Sequence, residues 1–375
     1  MAVVDDLEGV LVASPHLLDQ PVVAEGPQHL RRAGDEEPAA PWQGMSLHAV
    51  IMVAFAGVSN SFIRAPIPPS PINNAARWPW LEGYAGAQMV SISTGEFTHD
   101  GHRLVYSDYG AGARPFVLIP GLLLPRSMHD QLARALAERG NRVITLDPLG
   151  HGESDRPADM WRYTMTLLAE QVVALLDHLE LEEAVVGGTS LGANITLETC
   201  VLAPERVRGA VIEMPVLDNA LLGCALAFAP MLVYLTAGLP LARVVSGAVR
   251  LLPRTPSQLL NVGLDWAGQD PKPSGAYLQG LFFGRTAPPR SERAKLETRA
   301  LVIGHQRDPV HPFSDADMLV REMRHSRMIE ASSILELRIK PQRLTGEIGR
   351  FLDECWRSPA SASSPGSRRG RAAAG

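Results

Sequence analysis

Cysteine is scarce in this 375-residue sequence: Cys200, Cys224 and Cys355 are all there is, with no CxxC spacing and no histidine cluster nearby. That argues against a disulfide framework and a cysteine-based metal site, and it favours a reducing compartment, hence a cytoplasmic location. A basic excess is missing too. The formal net charge of -5 leaves no cationic surface to gather nucleic acid, and that class of partner is set aside. Long hydrophobic runs are few. Leu47–Val58 is too short to cross a bilayer and has no Lys or Arg just before it. Only a start at Met45 would make it weakly resemble a signal peptide, which leaves secretion or membrane association as the alternative location. Asn219–Ala242 has no formal charge and is long enough to span, but Pro230 and Pro240 interrupt it inside what reads as one folded domain. A hydrophobic cap is expected there, without stable membrane insertion.

What is present suits a large core, since hydrophobic residues make up 46% and charged residues 20% of the chain. Residues 1–93 carry no motif; within them residues 14–45 mix Pro, Gly and acidic residues without period, and Pro66–Pro71 (PIPPSP) cannot form a helix or a central strand. They read as a disordered extension, or as sequence upstream of a true start at Met89. Residues 357–375, rich in Ala, Ser, Pro, Gly and Arg, read as a disordered tail. Between these ends strand and helix alternate. Glu96–Asp100 and His102–Tyr109 suggest a hairpin. Phe116–Ile119, Arg142–Leu146, Ala184–Val186, Val207–Ile212, Ala300–Ile303 and a run from Met328 suggest buried strands. Ser127–Arg139, Thr166–Leu179, Leu191–Cys200 and Leu344–Trp356 have helical spacing. Apolar strands separated by helices predict a mostly parallel sheet covered on both faces. Residues 216–295 interrupt the alternation with apolar, mostly helical sequence.

Three segments carry the chemistry. Gly188-Thr189-Ser190-Leu191-Gly192 stands between a strand and a helix, a G-x-S-x-G turn tight enough to lift the Ser190 hydroxyl clear of the sheet. Ile119-Pro120-Gly121-Leu122 follows a buried strand, where the Leu122 amide, paired with that of Leu191, can face a developing oxyanion. Asp147–Ser154 (DPLGHGES) is a turn-rich run after the next strand. In this order and spacing the three segments resemble the α/β-hydrolase superfamily over residues 94–356. The resemblance implies an α/β-hydrolase fold, with the cap at 216–295 inserted between the last strands, and no cofactor. It says little of substrate. Pro120-Gly121 replaces the family's frequent His-Gly, which is tolerable because the hole uses backbone. His151 falls in what the family uses as a structural turn, and His129 is expected to be a surface or packing residue.

The resemblance also locates an acid. Asp308 follows the buried strand Leu301–Gly304, as the family's acid-bearing loop does; Glu213, ending the strand Val207–Ile212, is the alternative acid. The base is what the sequence lacks. Alignment on Pro341 puts Ser333-Ile334 where the family has Gly-His, and no histidine follows His325, which precedes the last strand at the wrong end of the sheet. A serine nucleophile needs a proton acceptor of suitable pKa. His311, three residues past Asp308 on a loop that should adjoin the vacant position, is the candidate base. His305 is a weaker candidate, and a Glu213 with a raised pKa a remote one. Two readings follow. One is a serine hydrolase acting on an ester or related carbonyl of an apolar small molecule. The other is a degenerate, non-catalytic relative that binds a ligand or acts as a scaffold. Oligomeric state is not legible.

Overall fold

The computed structural model describes residues 90–306, Asp308 and residues 310–357. The expectations for residues 1–89 and 358–375 lie outside the described residues. Eight strands form one sheet: β1 (Ile92–His99), β2 (His102–Tyr109), β3 (Pro115–Ile119), β4 (Arg142–Asp147), β5 (Ala184–Thr189), β6 (Val207–Glu213), β7 (Ala300–His305) and β8 (Ser326–Ala331). Their order is β1-β2-β4-β3-β5-β6-β7-β8. β1, β2 and β4 pair antiparallel, and every pair from β4 through β8 is parallel. The β1–β2 hairpin turns at Asp100-Gly101, both at positive φ (46° and 76°), the geometry a two-residue turn needs to match strand twist.

The helices are α1 (Asp130–Ala137), α2 (Met165–His178), α3 (Leu191–Leu202), α4 (Leu221–Thr236), α5 (Leu239–Arg250), α6 (Gln258–Ala267), α7 (Pro271–Phe283), α8 (Arg290–Arg293), α9 (Phe313–Glu322), α10 (Glu336–Ile339) and α11 (Gln342–Arg357). β3, β5 and β7 are buried along their whole length because helices cover both faces. Alternate strand residues feed two separate cores. Val117, Ile119 and Val186 pack with Leu168, Val172 and Ile195 of α2 and α3. Phe116, Leu118 and Val185 pack with Leu136 of α1 and with Leu344, Ile348 and Phe351 of α11.

Helices α4 to α8 form an insertion between β6 and β7, over the ends of the strands that carry the motifs. Its first turn is pinned by the buried Asp315 of α9. That carboxylate accepts the backbone N–H groups of Leu217 (2.7 Å), Asn219 (3.0 Å) and Ala220 (3.1 Å) in the turn that leads into α4.

Candidate active site

Ser190 occupies the single step between β5 and α3, at φ 56° and ψ -111°. A non-glycine residue rarely adopts positive φ, and the surrounding contacts hold it there. A Cβ on Gly188 would lie 2.4 Å from the backbone of Gly192, and one on Gly192 would lie 2.2 Å from the Ile119 carbonyl. Both flanking positions of the turn therefore admit only glycine. The Ser190 N–H donates to Glu213 O (2.8 Å), tying the turn to the end of β6.

His311 and Asp308 share the loop between β7 and α9. One oxygen of Asp308 accepts the backbone N–H groups of Val310 (2.9 Å) and His311 (3.0 Å), a local turn closed by the carboxylate itself. Its other oxygen lies 2.9 Å from His311 Nδ1, and His311 Nε2 lies 2.8 Å from Ser190 Oγ. With Nδ1–H donating to the carboxylate, Nε2 is the acceptor facing the serine hydroxyl. Burial works against ionising Asp308, but the His311 hydrogen bonds outweigh it and hold the carboxyl below its ordinary range.

On the other side of Ser190, the chain after β3 folds closely over the turn. The neighbouring amides are committed: Gly121 N–H points to Met128 Sδ (3.4 Å), Leu123 N–H to His151 Nε2 (2.9 Å) and Leu124 N–H to Gly121 O (3.0 Å). Among the described residues the Leu122 amide has no such partner, and Leu122 and Leu191 border the same cavity as Ser190. His151 is fully buried, and burial drops its pKa to about 4, so it stays neutral. Its Nδ1 faces Leu149 O (3.3 Å) while Nε2 receives Leu123, which clamps the loop carrying Leu122. The rest of DPLGHGES is also structural. Asp147 accepts Arg126 N–H (2.6 Å) and Glu153 N–H (2.9 Å), and Gly152 leaves room for that carboxylate.

The other candidates lie elsewhere. His305 is buried with Nδ1 on Ser333 O (3.1 Å), so it braces the loop where the family's histidine would stand and does not reach Ser190. Glu213 corrects an expectation. Burial opposes its charge, yet the adjacent Arg338 guanidinium overrides this and drives the pKa far down, not up. Arg338 reaches Glu213 at 2.6 Å and Thr189 Oγ1 at 2.8 Å, and Thr189 donates to Glu213 (2.5 Å). Glu213 is thus a permanently charged brace under the serine turn. His129, expected at the surface or in packing, is buried with Nε2 on Ile119 O (3.1 Å), and His325 is exposed against Glu297 at the far end of β8.

Above Ser190 is a cavity of about 190 Å³ lined mostly by apolar side chains, among them Phe228, Leu278, Leu281 and Phe282. Asn194, one turn along α3, ties the cap to this site. Its amide donates to Val216 O and Thr286 O (both 2.8 Å) and its oxygen accepts Val216 N–H (3.1 Å). The sequence reading missed it, although its i+4 spacing from Ser190 marks the same helix face. A larger polar cavity of about 730 Å³, bordered by Arg126, Arg156 and Asp265, contains none of Ser190, Asp308 or His311. Among the described residues no three His, Cys, Asp or Glu side chains gather as a metal-ligand set.

Residues 114–234 match a family described as alpha/beta hydrolase fold. A similar curated protein is the AB hydrolase superfamily protein YisY of Bacillus subtilis (strain 168). It is 32% identical over 117 residues, 31% of this chain and 41% of that one. The chain spans between 26% and 41% of the length of the first curated relatives it matches. Among solved structures, an enol-lactonase from Burkholderia xenovorans LB400 superposes with TM-score 0.57 at 19% identity, covering 69% of this chain and all of the other. An esterase from Exiguobacterium antarcticum superposes with TM-score 0.53 at 18% identity, covering 68% and 97%. Motif order, sheet topology, insertion point and these similarities agree: the chain belongs to the α/β-hydrolase fold superfamily.

Proposed function

We propose that this protein is a serine hydrolase that cleaves an ester or related carbonyl of an apolar small molecule through Ser190. The continuous chain Ser190 Oγ–His311 Nε2 (2.8 Å) and His311 Nδ1–Asp308 (2.9 Å) carries the reading. His311 takes the Ser190 proton as Oγ attacks the carbonyl carbon, and Asp308 stabilises the imidazolium that forms. The carbonyl oxygen, now an alkoxide, meets the Leu122 and Leu191 amides at the positive end of α3. His311 then hands its proton to the leaving alcohol. In a second round His311 draws a proton from water as the water oxygen attacks the acyl carbon, and returns that proton to Ser190 Oγ as the bond from Oγ to the acyl carbon breaks and the acid leaves.

The apolar lining above Ser190 supports an acyl or alkyl chain as the group that is held. The volume of about 190 Å³ is below the roughly 300–1,000 Å³ of pockets for drug-sized ligands, which favours a single short chain. A fluorophosphonate reagent applied to the full chain is expected to label Ser190, and Ser190→Ala to abolish the label. A series of p-nitrophenyl esters should show turnover that falls once the acyl group outgrows the cavity. Folded native protein that takes no label and turns over no ester would defeat the proposal in favour of a non-catalytic ligand-binding role.

A further inference from the structure

The cap has an outer face that nothing in the chemistry of Ser190 requires. α4 is apolar on both sides. Leu221, Cys224, Ala225 and Phe228, at i, i+3, i+4 and i+7, line the cavity over Ser190. The opposite side presents Leu222 (72% exposed), Leu226 (68%) and Val233 (61%) to solvent. α5 and the turn after it add Leu241, Val244, Val245 and Leu251, all exposed. A helix that is apolar all round is ordinarily buried, and an exposed patch of this kind marks a surface that something covers.

Charge and shape say what covers it. The only formal charges between Asp218 and Asp265 are Arg243, Arg250 and Arg254, and since Asp265 itself pairs with Arg254 (2.5 Å), Arg243 and Arg250 are left as the cations of this stretch, in a chain of net charge -5. All three are exposed. A second copy would bring two such cationic faces together, whereas an anionic lipid surface supplies both the apolar layer and the counter-charge. Lying on the surface fits better than crossing it. No single described helix is long and apolar enough to span, and α4 and α5 are bent by 95° at their junction, a shape that can rest in an interface.

We propose that the α4–α5 face of the cap docks on anionic lipid membranes, with its leucines and valines in the acyl boundary and Arg243 and Arg250 at headgroup level. Since α4 is also the wall of the Ser190 cavity, docking sets that cavity against the lipid phase. This last consequence rests on the hydrolase reading; the docking itself does not.

The test is flotation of the full chain with vesicles of phosphatidylcholine containing phosphatidylglycerol, against vesicles of phosphatidylcholine alone. Native protein and Ser190→Ala are both expected to float with the anionic vesicles at low salt and to be released by high salt. The double variant Leu222→Glu/Leu226→Glu, and separately Arg243→Glu, should each lower the bound fraction by about tenfold or more. Both should keep native thermal unfolding and hydrolysis of a soluble short-chain ester. Absence of flotation would overturn the proposal, and so would flotation indifferent to these substitutions. Sedimentation showing an oligomer that Leu222→Glu/Leu226→Glu dissolves, without vesicle binding, would assign the face to self-association instead. If Ser190→Ala floats but native protein takes no fluorophosphonate, the hydrolase reading fails and the docking surface stands.

Discussion

His311 meets its partners across very different sequence distances. Asp308 is three residues away and Ser190 is 121. The first contact is set by a local turn and the second by strand order, so substitutions separate orientation from proton transfer. Asp308→Asn keeps the turn but presents an amide to Nδ1, which favours the wrong tautomer. We expect kcat on a p-nitrophenyl ester to fall about 10²- to 10⁴-fold, and His311→Ala to fall at least as far, with KM little changed. Equal activity of native and His311→Ala protein would remove His311 from the chemistry. The sequence put His311 forward by topology, on the expectation that the acid loop and the loop after β8 adjoin, and its Nε2 lies 2.8 Å from Ser190 Oγ. It misjudged Glu213, since nothing near that residue in the chain announces Arg338, 125 positions later. A carboxylate at a strand end looks the same on paper whether it faces a base or a guanidinium.

The element that most constrains the sequence is the turn between β5 and α3. Gly192→Ala would push a methyl into the Ile119 carbonyl at 2.2 Å, against backbone on a fully buried strand. Such overpacking costs about 1–3 kcal/mol or more, and Ser190 would move with it. Gly247 in the middle of α5 is the opposite case, because a Cβ there meets nothing within 4 Å. Gly247→Ala should raise stability by about 1 kcal/mol. Urea unfolding of both variants checks the pair, and a Gly192→Ala protein as stable as native would refute the close approach. Elements of this kind were legible. Strand runs, the Asp-Gly hairpin turn and the G-x-S-x-G step are local patterns, and local patterns survive in a single sequence. The pins of the cap were not. Asp315 reaches back 98 residues to Leu217, and Asn194 reaches forward 92 to Thr286. Neither side chain differs locally from an ordinary helix polar residue.

At the scale of the molecule, two buried neutral histidines dominate the response to acid. His129 and His151 each have a pKa of about 4 when folded, against 6.5 as the ordinary value, because burial penalises the charged ring. Between pH 6.5 and 4 the unfolded chain takes up protons that the folded one refuses. Stability is therefore complete above pH 6.5 and is lost as pH falls, by about 3 kcal/mol per histidine. Glu213 and Asp308, both held below their ordinary values, add a further loss below about pH 4.5. Urea midpoints measured from pH 8 to pH 4.5 should decline from near 6.5 downward. His129→Gln, which retains a donor for Ile119 O, should flatten that decline by about one proton. A midpoint constant down to pH 5 would contradict the buried neutral state. The histidine count is in the sequence, but burial at His129 follows from how α1 seats on β3, and no periodicity reveals that.

Under the hydrolase reading the acid Asp308 and the base His311 sit on one short loop, where the family's usual plan draws them from two strands. In a two-strand plan their separation varies with every slip of one strand past its neighbour. Here Asp308 and His311 are three residues apart and directly hydrogen-bonded, so their spacing does not depend on how β7 and β8 are set against one another. Thermal breathing of the sheet then acts on one joint alone, that between Ser190 and the imidazole. The loop after β8 then supplies none of the proposed triad and serves as a support, with Ser333 O against His305 and Arg338 just beyond it holding Glu213 and Thr189 beneath the serine.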